Sequence, residues 1–166
     1  MSLRGPQGPG EHRGFTMSDQ SGTLPAQAMD DFHKAAHYLG VEAVSVPADT
    51  VTWKADVDAM ESAIDDRTIM LVGSAVSYAH DVVDPIPELG HLASERNLWL
   101  HVDGCIGGFI LPYARRLGRP VTDFDFAVPG VTSMSMDFHK YAYPPKAASV
   151  VLYRSAEERR YQLYAK

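Results

Sequence analysis

Two side chains that can do covalent and acid–base chemistry follow strand-like segments of this sequence. Lys140 comes directly after His139 in the segment TSMSMDFHKYAYPPKAASVVLY, residues 132–153, which places the pair in a short loop between two apolar runs. Asp103 follows the apolar run 98–102 and precedes the small residues GCIGG. A lysine amine can act as a nucleophile, and a carboxylate can stabilise a nearby positive charge. The pattern predicts a cofactor held between Asp103 and Lys140.

The elements that would position these residues alternate between helices and strands. Apolar residues at three- and four-residue spacing predict helices around Phe32, after the capping residue Asp56 and after the Asp84–Pro85 step, and Ser155 with Glu158 forms a capping box. Strands are predicted at 41–46, 68–73, 98–102, 124–128, 131–135 and 149–153. Helices between strands imply parallel pairing with right-handed crossovers. The predicted fold class is α/β, a mostly parallel sheet with helices on both faces.

The composition predicts one ordinary globular domain. The chain has 166 residues, of which 45% are apolar and 22% charged. Residues 1–24 are rich in Gly, Pro and Ser and lack periodicity, so they are predicted to form a flexible tail. Residues 25–166 then form the domain, and the alternation of elements begins there.

Charge and cysteine content exclude several classes of partner and location. A net charge of −6 argues against nucleic acid or an anionic membrane surface as the main partner. The single cysteine excludes an internal disulfide and fits a reducing compartment. No apolar run approaches the ~20 residues that span a bilayer. The first residues also lack the apolar core of a signal peptide, so the sequence predicts a cytoplasmic protein without a membrane span.

Three sequence segments resemble those of a known protein family. The segments HVDGCIGGF, FDF and VTSMSMDFHKYAYPPK resemble the large domain of fold-type I pyridoxal-phosphate enzymes, and most of all the branch of group II decarboxylases and sphingosine-1-phosphate lyases. The resemblance runs from about residue 25 to about residue 164 and covers part of that domain. It implies a pyridoxal 5′-phosphate cofactor and, by analogy, a homodimer.

The resemblance also implies roles for individual residues. Lys140 matches the Schiff-base lysine, and Asp103 matches the aspartate that pairs with the pyridine nitrogen. His139 and Ser135 match positions near the phosphate, and Cys105 matches the small residue that packs against the ring. A lysine buried beside a cationic cofactor is expected to have a lowered pKa.

Two further matches are weaker. His80 stands in SYAHDVVDP, where the family has a comparable loop ending in Asp and Pro, and is predicted to contact cofactor or substrate. Lys146 matches a lysine that follows the same proline in the family.

Each of these residues has a simpler interpretation. Lys140 could be a solvated loop lysine, and Asp103 could cap the turn after its strand. Ser135 alternates with two methionines and could be an ordinary strand residue, while His80 could be a loop contact.

His33 and His37 are four residues apart on the first predicted helix, a spacing that can place two imidazoles on one metal. No third ligand is evident in the sequence, so no metal site is predicted.

The predicted activity is that of a pyridoxal-phosphate lyase, either a carboxy-lyase or an aldehyde-lyase, acting on an amino acid or amino alcohol as its small-molecule amine substrate. The alternatives are an aminotransferase-like enzyme and a truncated domain without catalysis. The chain departs from the family at Met29, where a ring-stacking histidine is usual, and at Asp81 and Ala142, where glycines are usual. The family's glycine- and serine-rich phosphate loop has no counterpart in the sequence, so weak cofactor binding is expected.

Overall fold

The computed structural model describes residues 14–19 and 27–162, with side chains from residue 31 to 162. Strands and helices alternate along these residues. The strands are β1 Gly14–Asp19, β2 Ala43–Pro47, β3 Thr68–Ser74, β4 Trp99–Asp103, β5 Val131–Asp137 and β6 Ser149–Tyr153. The helices are α1 Gln27–Leu39, α2 Val57–Ser62, α3 Ile86–Arg96, α4 Gly107–Arg116, α5 Phe138–Tyr141 and α6 Ala156–Arg159, and a 3₁₀ turn at Arg160–Gln162 follows.

Across the described residues the strands form one sheet in the order β2-β1-β3-β4-β5-β6. The strands β1 to β5 pair in parallel, and β6 pairs antiparallel with β5. Because parallel strands end at the same edge, the carboxyl ends of β3, β4 and β5 lie side by side, where ligands bind in folds of this type. The prediction of a mostly parallel α/β sheet is confirmed.

Helices cover both faces of the sheet. Successive residues of a strand point to opposite faces, and in β3 Leu71 belongs to one buried cluster while Val72 belongs to another. Helix α3 contributes Ile86 and Leu89 to the cluster around Leu71, and α1 contributes Ala36 to the cluster around Val72. The predicted apolar face of α3 is therefore its buried face.

The Asp84 side chain accepts hydrogen bonds from two other segments of the chain instead of capping α3. The residue preceding α3 is Pro85, which makes no side-chain cap, while Asp84 is fully buried. Its Oδ1 accepts a hydrogen bond from Ala55 N at 2.8 Å, and its Oδ2 accepts one from Ser74 N at 2.7 Å. Asp84 thereby joins the end of β3 to the segment before α2.

Replacing Asp84 with alanine is expected to lower the free energy of unfolding by about 3 kcal/mol, because one buried and one partly buried backbone N–H group lose their acceptor. Urea denaturation measures the loss. Asp66→Ala, which removes an exposed carboxylate, serves as the control and should change stability by less than about 0.5 kcal/mol. Equal losses in the two variants would contradict the bridging role.

The strand predicted at 124–128 is wrong. Phe124 and Val128 are buried, but the segment has no strand pairing and turns at Gly130, which has a φ of 89°. The Arg154 guanidinium donates instead to the backbone oxygens of Val128 and Val131, both at 2.6 Å. A short apolar run can be buried without a neighbouring strand, and periodicity does not distinguish the two cases.

The structure also differs from the prediction near the amino terminus. Strand β1 falls inside the stretch 1–24 predicted to be a tail, and it pairs with β2 over residues 15–19 and 43–47. Its sequence, GFTMSD, lacks the apolar character by which the other strands were recognised. The rest of that prediction, residues 1–13 and 20–24, lies outside the described residues.

Within the described ranges, none of the helices has the length and apolarity that crossing a membrane requires.

Candidate active site

A cleft of about 670 Å³ opens at the carboxyl ends of β4 and β5. Its lining includes Asp103, Cys105, Ser135, His139 and Lys140, which are the predicted site residues other than His80. Asp103 is the last residue of β4, and α5, which carries His139 and Lys140, follows β5 directly. The parallel register sets Asp103 opposite Ser135. Strand ends thus bring together residues that are far apart in sequence.

Asp103 is buried at the base of the cleft, with 5% of its surface exposed. Its Oδ1 accepts hydrogen bonds from Cys105 N at 3.0 Å and from the Ser135 hydroxyl at 3.2 Å. The bond from Cys105 is the turn-capping contact that the simpler interpretation proposes. Asp103 therefore stabilises the turn after β4 and also presents a buried carboxylate to the cleft.

Lys140 is paired with a carboxylate that the sequence analysis did not identify. Its Nζ lies 2.9 Å from Asp137 Oδ2, and Asp137 Oδ1 accepts a hydrogen bond from the Ser149 hydroxyl at 2.5 Å. Burial alone would lower the pKa of Lys140, but hydrogen bonds to Cys105 and Asp137 outweigh it and raise the pKa above its usual value. Without a cofactor the direction is opposite to the lowered pKa expected from sequence, because Asp137 stabilises the charged amine.

The contact between Lys140 and Asp137 also changes the pKa of Asp137. Burial would raise its pKa, yet hydrogen bonds from Ser149 and Lys140 and the nearby positive charges lower it. The two residues therefore stabilise each other's charged forms at the mouth of the cleft.

His139 is held by Ala148, the residue directly before β6. Its Nδ1 lies 3.0 Å from the backbone oxygen of Ala148, so Nδ1 carries a proton and donates it. Its backbone N donates to the same oxygen at 3.2 Å. A contact between His139 and a phosphate stays a prediction.

Cys105 lies in the turn between β4 and α4, close to both Asp103 and Lys140. Burial, and after it the negative charge of Asp103, raises the pKa of the thiol to about 12. The thiol is therefore protonated near neutral pH, which suits a packing surface better than a nucleophile.

The glycines on either side of Cys105 allow α4 and the turn before it to approach the sheet closely. A Cβ on Gly107 would lie 2.2 Å from the backbone oxygen of Ala75, and one on Gly104 would lie 2.5 Å from Met134 Cε. The GCIGG motif thus has a packing role here, which brings the turn containing Cys105 against the ends of β3 and β5.

His101 is a site residue that the sequence analysis missed. It is buried in the wall of the cleft, and its Nε2 lies 3.3 Å from the Ser135 hydroxyl that donates to Asp103. Burial lowers the pKa of His101 to about 4, although the negative charge of Asp103 acts in the opposite direction. The imidazole is therefore neutral near neutral pH. Its position two residues before Asp103, on the same face of the strand, was the available signal.

The structure does not bring His80 to the cleft. Its ring stacks on Trp53 with centroids 4.5 Å apart and planes 4° apart, and Tyr78 lines the cleft instead. The loop folds back through the hydrogen bond from Ser77 N to Val82 O, which directs His80 away from the other predicted residues.

The remaining sequence matches lie outside the cleft lining. Lys146 is exposed in the loop before β6. Asp81 has a φ of 53°, the left-handed conformation that glycine adopts most easily, whereas Ala142 has an ordinary φ of −96°. The side chain of Met29 lies outside the described residues.

His33 and His37 are both exposed on α1. Among the side chains described, no group of three or more His, Cys, Asp or Glu is placed to hold a metal ion.

Comparisons with known proteins agree with this arrangement. A model of the family described as the pyridoxal-dependent decarboxylase conserved domain matches residues 22–162. The sphingosine-1-phosphate lyase of Oryza sativa is 48% identical over 142 residues, which cover 86% of this chain and 26% of that protein. The sphingosine-1-phosphate lyase of Saccharomyces cerevisiae is 40% identical over 92% of this chain and 26% of its own length.

Solved structures give the same picture. The structure of a sphingosine-1-phosphate lyase from Burkholderia pseudomallei superimposes with a TM-score of 0.80 at 46% identity, over 89% of this chain and 33% of that one. Glutamate decarboxylase from Lactobacillus brevis, at 22% identity, shares the fold with a TM-score of 0.74, over 89% of this chain and 32% of its own. The chain spans about a quarter of the length of the curated relatives it matches. It belongs to the pyridoxal-dependent decarboxylase family.

Proposed function

We propose that this chain carries the ring-binding part of a pyridoxal 5′-phosphate site, and that the whole protein is a carbon–carbon lyase acting on an amine substrate. The observation that carries the proposal is the convergence of Lys140, Asp103 and Ser135 on one cleft at the carboxyl edge of the sheet. Family membership and identities of 40–48% to sphingosine-1-phosphate lyases support it.

The residues of the cleft fit this cofactor chemically. The cofactor has an aldehyde, a basic ring nitrogen and a phosphate, and the cleft offers an amine at Lys140, a buried carboxylate at Asp103 and an imidazole at His139. The volume of about 670 Å³ lies within the range of small-molecule sites, which is roughly 300–1,000 Å³.

When bound, pyridoxal phosphate supplies a ring that accepts electrons from the bond being broken. The chain's own residues prepare the site for it. Asp103 offers a carboxylate to the ring nitrogen, while Ser135 and the Cys105 amide fix the orientation of that carboxylate. Asp137 holds the protonated Lys140 amine at the mouth of the cleft.

An aldehyde-lyase reaction on a phosphorylated amino alcohol is the finer proposal. The relatives at 40–48% identity are named sphingosine-1-phosphate lyases, whereas the glutamate decarboxylase at 22% identity supports the fold alone. Incubation with sphingosine 1-phosphate should release a long-chain aldehyde. Release of carbon dioxide from an amino acid, without aldehyde formation, would favour the carboxy-lyase instead.

Titration with pyridoxal phosphate, followed by borohydride reduction and peptide mapping, tests the cofactor proposal. We expect absorbance at the edge of the visible range and a pyridoxyl group on Lys140. A label on Lys34 or Lys146, or no label at millimolar cofactor, would overturn the proposal.

We further propose that the protein is a cytoplasmic homodimer. Exposed apolar residues on α4 and directly after it, namely Ile110, Tyr113 and Leu117, support an interface. A free Cys105 suits a reducing compartment. Sedimentation velocity and cell fractionation test the two halves. A monomer at micromolar concentration or a membrane-bound fraction would count against them.

Removing the Asp137 carboxylate is expected to speed Schiff-base formation near neutral pH. Asp137 helps to raise the pKa of Lys140, so Asp137→Asn lowers that pKa and increases the fraction of neutral, reactive amine. For a partly exposed ion pair worth up to about 1 kcal/mol, the rate of Schiff-base formation should rise about two- to fivefold. The pH profile of the trapping rate should shift to lower pH.

Asp31→Asn is the matched control, because it removes a charge from the same cleft without a contact to Lys140. An equal acceleration in both variants would mean that general electrostatics, and not the ion pair, restrains the amine.

A further inference from the structure

A line of polar side chains crosses between β4 and β5 beneath the cleft. Trp99, His101 and Asp103 alternate along β4 and therefore share a face of the sheet. Ser133 and Ser135 occupy the same face of β5, with His101 opposite Ser133 and Asp103 opposite Ser135. His101, Ser133 and Asp103 are each less than 10% exposed. The line is thus shielded from bulk water along most of its length.

Hydrogen bonds connect these side chains without a break. Trp99 Nε1 lies 2.7 Å from Ser133 Oγ, which lies 2.7 Å from His101 Nδ1. His101 Nε2 lies 3.3 Å from Ser135 Oγ, which lies 3.2 Å from Asp103 Oδ1. Phe32 contacts the imidazole edge-on at 5.8 Å between centroids and forms the wall on the side of α1.

The donors and acceptors fit only one direction of proton donation along this series of hydrogen bonds. Ser135 has a single hydroxyl proton, which it donates to Asp103, so its contact with His101 requires a proton on Nε2. In a neutral imidazole Nδ1 is then bare, and Ser133 must donate to it. The indole N–H of Trp99 can only donate, and it occupies an acceptor site of Ser133.

We propose that His101 is a positioning residue that orients the Asp103 carboxylate toward the ring nitrogen of the cofactor, acting through the Ser135 hydroxyl. This inference rests on the proposed cofactor function. With His101 as donor, Ser135 cannot turn its proton toward Nε2, because two protons would then face each other, so its proton is left for Asp103. At the other end of the series, Trp99 donates to Ser133, which leaves the Ser133 proton for His101 Nδ1.

The first arm of the test uses the chain without cofactor. Nitrogen-15 NMR of histidine-labelled protein reports the tautomer of each ring, and the His101 signal is assigned by its loss in a His101→Gln variant. We expect His101 to carry its proton on Nε2 near neutral pH. A proton on Nδ1, or a doubly protonated ring, would overturn the hydrogen-bonded chain.

The second arm compares two cofactors. Pyridoxal phosphate has the ring nitrogen, and its 1-deaza analogue has a carbon in that place. Asparagine places its amide near Nδ1 and loses the bond to Ser135, so His101→Asn should weaken pyridoxal phosphate binding about tenfold and the analogue's binding far less. His101→Gln places its amide near Nε2 and should restore most of the loss. His91→Asn, on the exposed face of α3, is the control and should change neither affinity.

The outcomes separate the two proposals. Equal weakening of both cofactors in His101→Asn would assign His101 a general structural role and overturn the inference alone. Unchanged affinities would do the same. A wild-type chain that binds neither cofactor would overturn the proposed function and the positioning role with it, and the NMR result would still decide the tautomer.

Discussion

Replacing Lys140 with alanine is expected to abolish the covalent attachment of pyridoxal phosphate. Lys140 is the lysine of the cleft lining, and its amine lies at the cleft mouth beside Asp137. Mass spectrometry after borohydride reduction should find the pyridoxyl label at background level in the variant and on Lys140 in the wild type.

Two further variants separate chemistry from charge. Lys140→Arg keeps a positive charge for Asp137 but has a guanidinium that does not form a Schiff base, so it should also be unlabelled. Lys146→Arg, an exposed position six residues on, should label like the wild type. Persistent label in Lys140→Ala would show that another lysine holds the cofactor, and would remove the central residue from the proposed site.

Replacing Asp103 with asparagine is expected to reduce turnover by about 10²- to 10³-fold, the range for losing one preorganised electrostatic contact in an active site. Asparagine keeps an oxygen that accepts from Cys105 N and Ser135, so the turn after β4 should remain folded. The lost charge matters most when the ring must accept electrons, so cofactor affinity should fall far less than turnover. Aldehyde release from sphingosine 1-phosphate measures the first quantity and absorbance titration the second.

Circular dichroism and thermal unfolding serve as controls for the fold of the Asp103→Asn variant. Turnover equal to that of the wild type would mean that Asp103 only caps its turn. A parallel loss of stability and affinity would give it a structural role instead.

Much of the fold could be predicted because strands buried on both faces are apolar along their whole length. Strand β3 was predicted within one residue from such a run, and the edge strand β6, which is only partly buried, was predicted at its observed bounds from its apolar residues. Strand β1 was missed because it alternates polar and apolar residues inside a Gly- and Pro-rich stretch. The run around Phe124 was misassigned because its burial comes from Arg154 and the core, and not from a neighbouring strand.

The sequence predicted those site residues that lie at or directly after the end of a predicted strand. Asp103 ends β4 and Lys140 lies in the helix that follows β5, and the sequence predicted both residues at the same edge of the sheet. Asp137 and His101 were not found, because their importance depends on the relative register of two strand pairs. Spacing along one strand does not reveal that Ser149 faces Asp137, or that Ser133 faces His101.

The reversed direction of β6 has a consequence for how the site can be tuned. Because β6 runs antiparallel to β5, it begins where its neighbour ends, so Ala148 and Ser149 contact His139 and Asp137. The preceding loop, residues 142–148, therefore helps to position Asp137 and, through it, the Lys140 amine. Changes in the length or stiffness of this loop should alter the pKa of Lys140 without replacing a residue that lines the cleft. Loop variants would therefore change the rate of Schiff-base formation from outside the site.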